Sequence, residues 1–228
     1  MTMRTGTMLT LLALAGLGGC SPSTVGKPMI GIDNFAKIEG GPHPIYRGGQ
    51  PTREGYARLA SADYKVATVI DLRDDYEPWA EDAVTAAGMK YKRIGMSAWS
   101  TNTAKIREAL RTVAEADAVG PVFIHCRQGR DRTGLEVAMY RILVQGWTRD
   151  RAIAELREHG YNKFWFPGIE RYVATFDQND FKDVVKGGST AAVVAAGTAT
   201  GVPVPAAAAK AVGSAVSKAA SAATRPVK

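Results

Sequence analysis

Residues 125–134, which read HCRQGRDRTG, bring together side chains that suit chemistry on a phosphate ester. The apolar residues 122–124 precede the segment and an apolar helical pattern follows it, so we expect a loop between a buried strand and a helix. Such a loop can turn several backbone N–H groups toward one anion, and the helix N-terminus adds positive potential there. Arg132 can hold two oxygens of that anion, and Gly129 permits the turn. The spacing therefore predicts a cup that binds phosphate.

Cys126 lies at the start of this cup, where the positive field favours a thiolate. The thiolate can attack phosphorus and form a phosphocysteine, which water then hydrolyses. Thr133 can donate a hydrogen bond to the sulfur, and we expect His125 to orient the loop through backbone hydrogen bonds. The predicted catalytic residues are Cys126, Arg132, Asp131 and Thr133. The predicted phosphate-binding residues are Arg127, Gln128, Gly129, Arg130, Asp131 and Arg132.

Strands and helices alternate along the chain between residues 30 and 185. Residues 45–47, 66–72, 90–94 and 122–124 have the apolar or alternating pattern of strands. Helices are expected after the capping residues Thr52 and Thr148, from Pro78 to Gly88, from Thr103, over residues 134–145 and from Pro167 to about Phe176. This alternation predicts an α/β fold with a central, mainly parallel sheet flanked by helices. Ligands of such sheets bind beyond the carboxyl ends of the strands, where residues 125–134 lie.

Four segments in order resemble bacterial dual-specificity protein tyrosine phosphatases, which are cysteine-dependent, and especially their exported, periplasmic branch. They are residues 46–51 (YRGGQP), 69–73 (VIDLR), 125–134 and 138–147 (AMYRILVQGW). The likeness covers about residues 42–175. It implies a dual-specificity-phosphatase-like fold, Cys126 as the nucleophile, Arg132 as the phosphate ligand, Asp71 and Arg73 as supporting residues, and no metal or cofactor. The expected substrate is a phosphorylated protein or a small phosphate ester.

The chain departs from this family where an aspartic acid usually protonates the leaving oxygen. Residues 94–103, which form the corresponding loop, contain no acid, and Trp99 lies near the expected position. We consider three alternatives: Asp131 inside the cup, an acid among Asp74, Asp75 and Glu77, or no general acid at all. We favour Asp131, although the flanking arginines should lower its pKa while a general acid must hold a proton.

The substrate class stays open at this stage. Arg127 and Arg130 add cations to the cup, which either favour a substrate with several phosphates or pair with acids such as Asp74 and Asp75. The alternatives to a protein phosphatase are therefore an inositol-phosphate or phosphoinositide phosphatase, and a non-catalytic lipoprotein that binds phosphate. We expect residues 164–166 (FWF) to pack under the last helix or line the rim of the pocket. We expect Glu155 and His159 to form a solvated face.

Both ends of the chain have biased compositions. Arg4, the apolar residues 8–17 and the sequence LGGC at 17–20 resemble a lipoprotein signal, so we expect removal of residues 1–19, lipidation of Cys20 and a periplasmic, membrane-anchored protein. Ser21 favours the outer membrane. A plain secretory signal with a chance cysteine is the alternative. Residues 20–30 read as a linker, 31–186 as the phosphatase domain and 187–228, with fifteen alanines and no acid, as a low-complexity tail. We expect that tail to be solvated, with contact to an anionic surface as the alternative.

Charge and composition exclude several classes. The net charge of +7 falls to +2 for residues 20–186 once Arg4 and the four tail cations are set aside. The predicted domain is thus only mildly basic, and we expect no nucleic-acid partner. Hydrophobic residues make up 46% of the 228 residues and charged residues 22%, which argues against disorder throughout. Two cysteines cannot build a disulfide scaffold.

Overall fold

The computed structural model describes residues 29–184, which hold one five-stranded sheet with helices on both faces. The signal, Cys20, most of the linker and the tail lie outside the described residues. The strands are β1 (Ala36–Ile38), β2 (Ile45–Gly48), β3 (Thr68–Arg73), β4 (Lys90–Met96) and β5 (Val122–His125). The helices are α1 (Arg53–Ala60), α2 (Pro78–Ala86), α3 (Thr103–Asp117), α4 (Asp131–Leu143), α5 (Arg149–Glu158), α6 (Pro167–Thr175) and a final 3₁₀ turn (Gln178–Phe181).

The sheet has the strand order β1-β2-β5-β3-β4. β1 runs antiparallel to β2, whereas the other three pairings are parallel, which confirms the mainly parallel sheet. The register places Gly48 of β2 and Asp71 of β3 beside His125 of β5. The loops that follow β2, β5 and β3 therefore leave the sheet at the same edge. The predicted cup is the loop after β5, and it lies between the loops after β2 and β3.

Two apolar cores hold the helices against the sheet. The larger one packs α3, α4, α5 and α6 on one face, and the smaller one packs α1 and α2 on the other. Thr52 and Thr148 cap α1 and α5 through their side chains, as expected, and Pro78 opens α2. Among the described residues no helix is long and apolar enough to cross a membrane.

The start of α4 differs from the expectation. The helix begins at Asp131 rather than at Gly134, so Asp131, Arg132 and Thr133 form its first turn. The apolar pattern marks only where the helix becomes buried, whereas its first turn is polar because it faces the cup. This correction brings the N-terminus of the helix, with its unpaired backbone N–H groups, directly against the phosphate position.

Candidate active site

Cys126 lies at the base of a tight loop between β5 and α4. The cysteine is 2% exposed and is a free thiol. Gly129 has a φ of +69°, and a Cβ atom there would lie 2.3 Å from the backbone carbon of Gly48. The loop therefore packs against the end of β2 so closely that only glycine fits, as the sequence predicted for this turn.

Two side chains hold the Gly129 carbonyl from outside the loop. Nη2 of Arg47 donates to it at 2.7 Å, and Nδ2 of Asn34 donates at 2.9 Å and also donates to the carbonyl of His159. Arg47 is 1% exposed, and its Nε and Nη1 have no hydrogen-bond partner among the described residues. Burial lowers the pKa of Arg47 to about 10, against the opposing effect of Glu155, so its guanidinium is a buried cation beneath the cup at neutral pH.

Arg47 and Asn34 are not among the functional residues that the sequence predicts. Arg47 stands in the YRGGQP segment that carries the family resemblance, and this was the available signal. Asn34 lies in an irregular stretch with a φ of 51°, which no periodic pattern reveals. The expected solvated face of Glu155 and His159 is wrong. Glu155 forms an ion pair with Arg141, and His159 is buried, because both pack behind the cup.

Arg132 faces the β3–α2 and β4–α3 loops. Its Nη1 donates to Oδ1 of Asp74 at 2.6 Å and to the carbonyl of Met96 at 3.1 Å. The carbonyl contact aims the side chain, and the Asp74 carboxylate occupies part of the guanidinium edge that a phosphate would use. Asp74 is thus the candidate acid that directly contacts Arg132, the predicted phosphate-binding arginine.

Asp131 is a buried carboxyl in the first turn of α4. Its Oδ1 accepts a hydrogen bond from the backbone N–H of Asn162 at 2.9 Å. Burial raises the pKa of Asp131 and outweighs this bond and the charges of Arg130 and Arg132. The flanking arginines lower the pKa of Asp131 as expected, but their effect is smaller than the loss of hydration, so the net shift is upward.

Asp71 and Arg73 form a buried ion pair at the end of β3. Nε and Nη2 of Arg73 donate to both Asp71 oxygens at 3.0–3.2 Å, and the Tyr91 hydroxyl donates to Oδ2 at 2.7 Å. Burial opposes ionisation of Asp71, but His125 and the Arg73 hydrogen bonds outweigh it and lower its pKa. Nη1 of Arg73 also pairs with Glu77 at 3.1 Å, which ties that candidate acid to a structural cation.

His125 is fully buried under the cup. Its Nδ1 lies 3.3 Å from the Cys126 carbonyl and 3.9 Å from Oδ1 of Asp71, and its Nε2 lies 3.4 Å from the Tyr56 hydroxyl. Burial lowers the pKa of His125 to about 4, so the ring is neutral near pH 7. These contacts suit a residue that orients the loop backbone.

Thr133 and Glu136 lie one turn apart on α4 and are buried without a side-chain hydrogen bond among the described residues. The Thr133 hydroxyl therefore remains available as a donor. Burial raises the pKa of Glu136 well above its usual range, which favours a neutral carboxyl next to the core.

The remaining cup residues are exposed. Arg127 forms an ion pair with Asp75, which matches the pairing alternative for this arginine. Arg130 instead lies along Gly160, at the C-terminal end of α5. Gln128 and Arg130 line a groove of about 590 Å³ beside the cup, together with Asp33, Asn34, Glu158, His159 and Gly160. The cup thus retains one added cation that does not pair with Asp74 or Asp75.

Comparisons with known proteins decide the family. A family model described as "DSP-PTPase phosphatase fused to NAD+ Kinase" matches residues 35–170, which include the cup and all five strands in full. This chain belongs to that DSP-PTPase phosphatase family. The resemblance to bacterial dual-specificity and protein tyrosine phosphatases is thereby confirmed.

The relatives of this DSP-PTPase domain include enzymes that are named for two different activities. The dual specificity protein phosphatase TpbA of Pseudomonas aeruginosa is 33% identical over 118 residues, which are 51% of this chain and 51% of TpbA. The inositol diphosphatase SIW14 of Saccharomyces cerevisiae is 24% identical over 168 residues, which are 70% of this chain and 57% of SIW14. The chain thus spans about half the length of TpbA.

The crystal structure of P. aeruginosa TpbA has the same fold. It superposes with a TM-score of 0.55 and 28% identity, over 64% of this chain and 87% of that one. A cysteine-to-serine variant of TpbA in complex with phosphotyrosine superposes with a TM-score of 0.56 and 25% identity, over 67% and 95% of the two chains.

Proposed function

We propose that this chain is a cysteine-dependent protein phosphatase that hydrolyses phosphate monoesters, acting on phosphotyrosine as a dual-specificity enzyme. The observation that carries the proposal is Cys126 at the base of a cup that ends in the first turn of α4, with Arg132 in that turn. TpbA, which carries the dual-specificity name and was crystallised with phosphotyrosine as a variant, supports the substrate class.

The reaction follows from the position of these groups. The Cys126 thiolate attacks phosphorus, a sulfur–phosphorus bond forms, and the bond from phosphorus to the ester oxygen breaks. Arg132 and the backbone N–H groups of the cup hold the phosphoryl oxygens, and the leaving oxygen takes up a proton. Water then attacks phosphorus, inorganic phosphate leaves, and the Thr133 hydroxyl stabilises the departing thiolate.

We assign the proton donor to Asp131, because its burial favours the protonated carboxyl that a general acid needs. Asp74 is the competing candidate, because it contacts Arg132. Asp131→Asn should slow turnover of an alkyl phosphate more than that of a phenyl phosphate, since the poorer leaving group depends more on protonation. Equal and small effects on both substrates would reject Asp131, and the same comparison on Asp74→Asn then tests the alternative.

A second candidate function is hydrolysis of inositol phosphates or phosphoinositides. Arg130 favours it, because this added cup cation does not pair with Asp74 or Asp75, and the inositol diphosphatase SIW14 is a relative. Turnover of a polyanion should fall steeply with ionic strength, whereas turnover of a phosphotyrosine peptide should fall less.

The deciding experiment is phosphate release by the purified chain from a panel of phosphate esters. The panel holds an aryl phosphate, phosphotyrosine and phosphoserine peptides, phosphoinositides and inositol polyphosphates. Cys126→Ser serves as the control, and acid quenching should trap phosphate on Cys126 in the wild type. Turnover by the wild type that is absent from Cys126→Ser supports the proposed enzymatic function, and the preferred ester decides the substrate class. Phosphate binding without turnover, equal in both proteins, would instead identify a non-catalytic phosphate-binding lipoprotein.

We also propose that the chain is exported and anchored in a membrane through lipid on Cys20, facing the periplasm, with the outer membrane favoured. The LGGC sequence after the apolar residues 8–17 supports this proposal. The wild-type chain should fractionate with membranes and incorporate labelled fatty acid. A Cys20→Ser chain that is labelled equally would refute the anchor.

A further inference from the structure

Four aromatic side chains gather beside the cup, and we name them the aromatic rim: Trp99, Phe164, Trp165 and Phe166. The Trp99 ring centroid lies 4.9 Å from that of Phe166 and 6.2 Å from that of Trp165. Phe164 is 82% exposed, Trp99 70% and Trp165 56%. Phe164 and Trp165 project into solvent and so do not pack under the last helix, which leaves the alternative expectation that they line the rim of the pocket.

Hydrogen bonds fix both loops of the aromatic rim to the cup. Met96, the last residue of β4, accepts from Arg132 through its carbonyl, and Trp99 follows three residues later in the β4–α3 loop. In the α5–α6 loop, Asn162 donates to Asp131 through its backbone, and its side-chain oxygen accepts from the N–H groups of Phe164 and Trp165. The rim therefore has a fixed position at the mouth of the cup.

The two loops of the aromatic rim carry no acid of their own, and the acids of the β3–α2 loop, Asp74 and Asp75, pair with Arg132 and Arg127. Neither residues 94–103 nor residues 161–166 contain an acid. Lys163 is exposed and precedes Phe164, and Arg130 is exposed on the cup. Exposed tryptophan and phenylalanine next to cations are the combination that binds the interface of an anionic bilayer, where rings enter the headgroup region and cations meet phosphate.

We propose that the aromatic rim is a bilayer-docking surface that inserts into an anionic membrane and brings the cup to phosphate esters at its surface. A bilayer fits better than a phosphopeptide. Phe164 is too exposed to form the wall of a ligand pocket, and both loops present their apolar rings outward. This inference deepens the proposed function, because it adds a location for the substrate, but the docking itself does not require catalysis.

Quenching of tryptophan fluorescence by brominated phospholipid tests the insertion in the full chain. The probe is vesicles of phosphatidylcholine and phosphatidylglycerol, with phosphatidylcholine alone for comparison. Wild-type protein should be quenched, and a Trp99→Phe, Trp165→Phe double variant should lose most of that quenching. Trp79→Phe is the matched control, because Trp79 packs against Tyr56 and Arg53 in the smaller core and should not be reached. Quenching that survives the double variant would overturn the proposal.

Partitioning of chains that carry Cys20→Ser, and so lack the proposed lipid anchor, measures the same surface independently of tryptophan fluorescence. Lys163→Glu should weaken binding to the mixed vesicles. The triple variant Trp99→Ser, Phe164→Ser, Trp165→Ser should weaken it by about tenfold or more. Val119→Ser is the control, because Val119 is 69% exposed and precedes β5, at the edge of the sheet opposite the cup. Equal partitioning of all variants would refute the rim.

The outcomes separate docking from catalysis. Turnover of a small soluble aryl phosphate needs no bilayer and measures the proposed function alone. If this turnover is absent while the quenching still depends on the rim, the proposed enzymatic function is refuted and the docking is not. If the triple variant keeps vesicle binding but loses affinity for a phosphotyrosine peptide, the rim is a peptide surface and the bilayer proposal is wrong.

Discussion

Replacing Asp74 by alanine should make the cup bind inorganic phosphate more tightly. The Asp74 carboxylate accepts a hydrogen bond from Arg132 at 2.6 Å, and we expect a phosphate that binds Arg132 to displace it. The Arg132 side chain is 11% exposed and that of Asp74 57%, so solvent weakens the pair on one side. Hydrogen bonds to charged groups contribute about 1.5–3 kcal/mol and exposed ion pairs about 0.2–1 kcal/mol. A value of about 1 kcal/mol, the upper end of the range for exposed pairs, corresponds to about fivefold tighter binding.

The assay is competitive inhibition by inorganic phosphate against an aryl phosphate substrate. Asp75→Ala is the matched control, because Asp75 neighbours Asp74 but pairs with the exposed Arg127, and its replacement should change the inhibition constant less than about twofold. The inhibition constant reports competition for Arg132, whereas a change in kcat alone would report a role for Asp74 in proton transfer. An unchanged or weaker inhibition constant in Asp74→Ala would refute the view that this carboxylate occupies the phosphate position.

Three further predictions concern the support of the cup. Gly129→Ala should lower the free energy of unfolding by about 2–4 kcal/mol in urea titrations, through the positive φ and the clash with Gly48; a loss below about 1 kcal/mol would contradict this packing. Arg47→Met should lower kcat/KM by about tenfold while changing the free energy of unfolding by less than about 1 kcal/mol, since it removes a buried cation with two unpaired nitrogens; Arg47→Lys should restore part of the activity, and equal failure of both variants would argue for a merely structural role. The free energy of unfolding should fall between about pH 6.5 and about pH 4, because burial lowers the pKa of folded His125 and of folded His159 to about 4 while the unfolded imidazoles already bind protons. His159→Asn should remove the part of this slope that His159 contributes, at most about 3 kcal/mol over the window, and an unchanged slope would refute the assignment.

The candidate site was predictable because its residues are contiguous. Cys126, Gly129, Arg132 and Thr133 lie within eight positions, and the loop between a strand and a helix fixes their relation. The strand–helix alternation likewise predicted the mainly parallel sheet, since apolar periodicity reports burial directly. The three-residue β1 was missed, because so short a strand has no period.

The support of the cup was not predictable, because distant segments supply it. Asn34 and Arg47 reach the Gly129 carbonyl from 95 and 82 residues away, and no local pattern records such contacts. The net direction of the Asp131 pKa shift was not predictable for a related reason. Its neighbours in sequence are cations, but its burial depends on the α5–α6 loop, which only the tertiary structure brings near.

The long-range support of Gly129 has a consequence for how the protein folds. β2 pairs with β5 through partners such as Ile45 and Val122, so a long segment of the chain must be closed into a loop before these strands can meet. Contacts of such large sequence separation are associated with slow folding, since the closure of long loops costs entropy before the contacts form. Phosphate binding should therefore return during refolding no earlier than the β2–β5 pairing, and recovery of activity becomes a kinetic reporter of the assembled sheet.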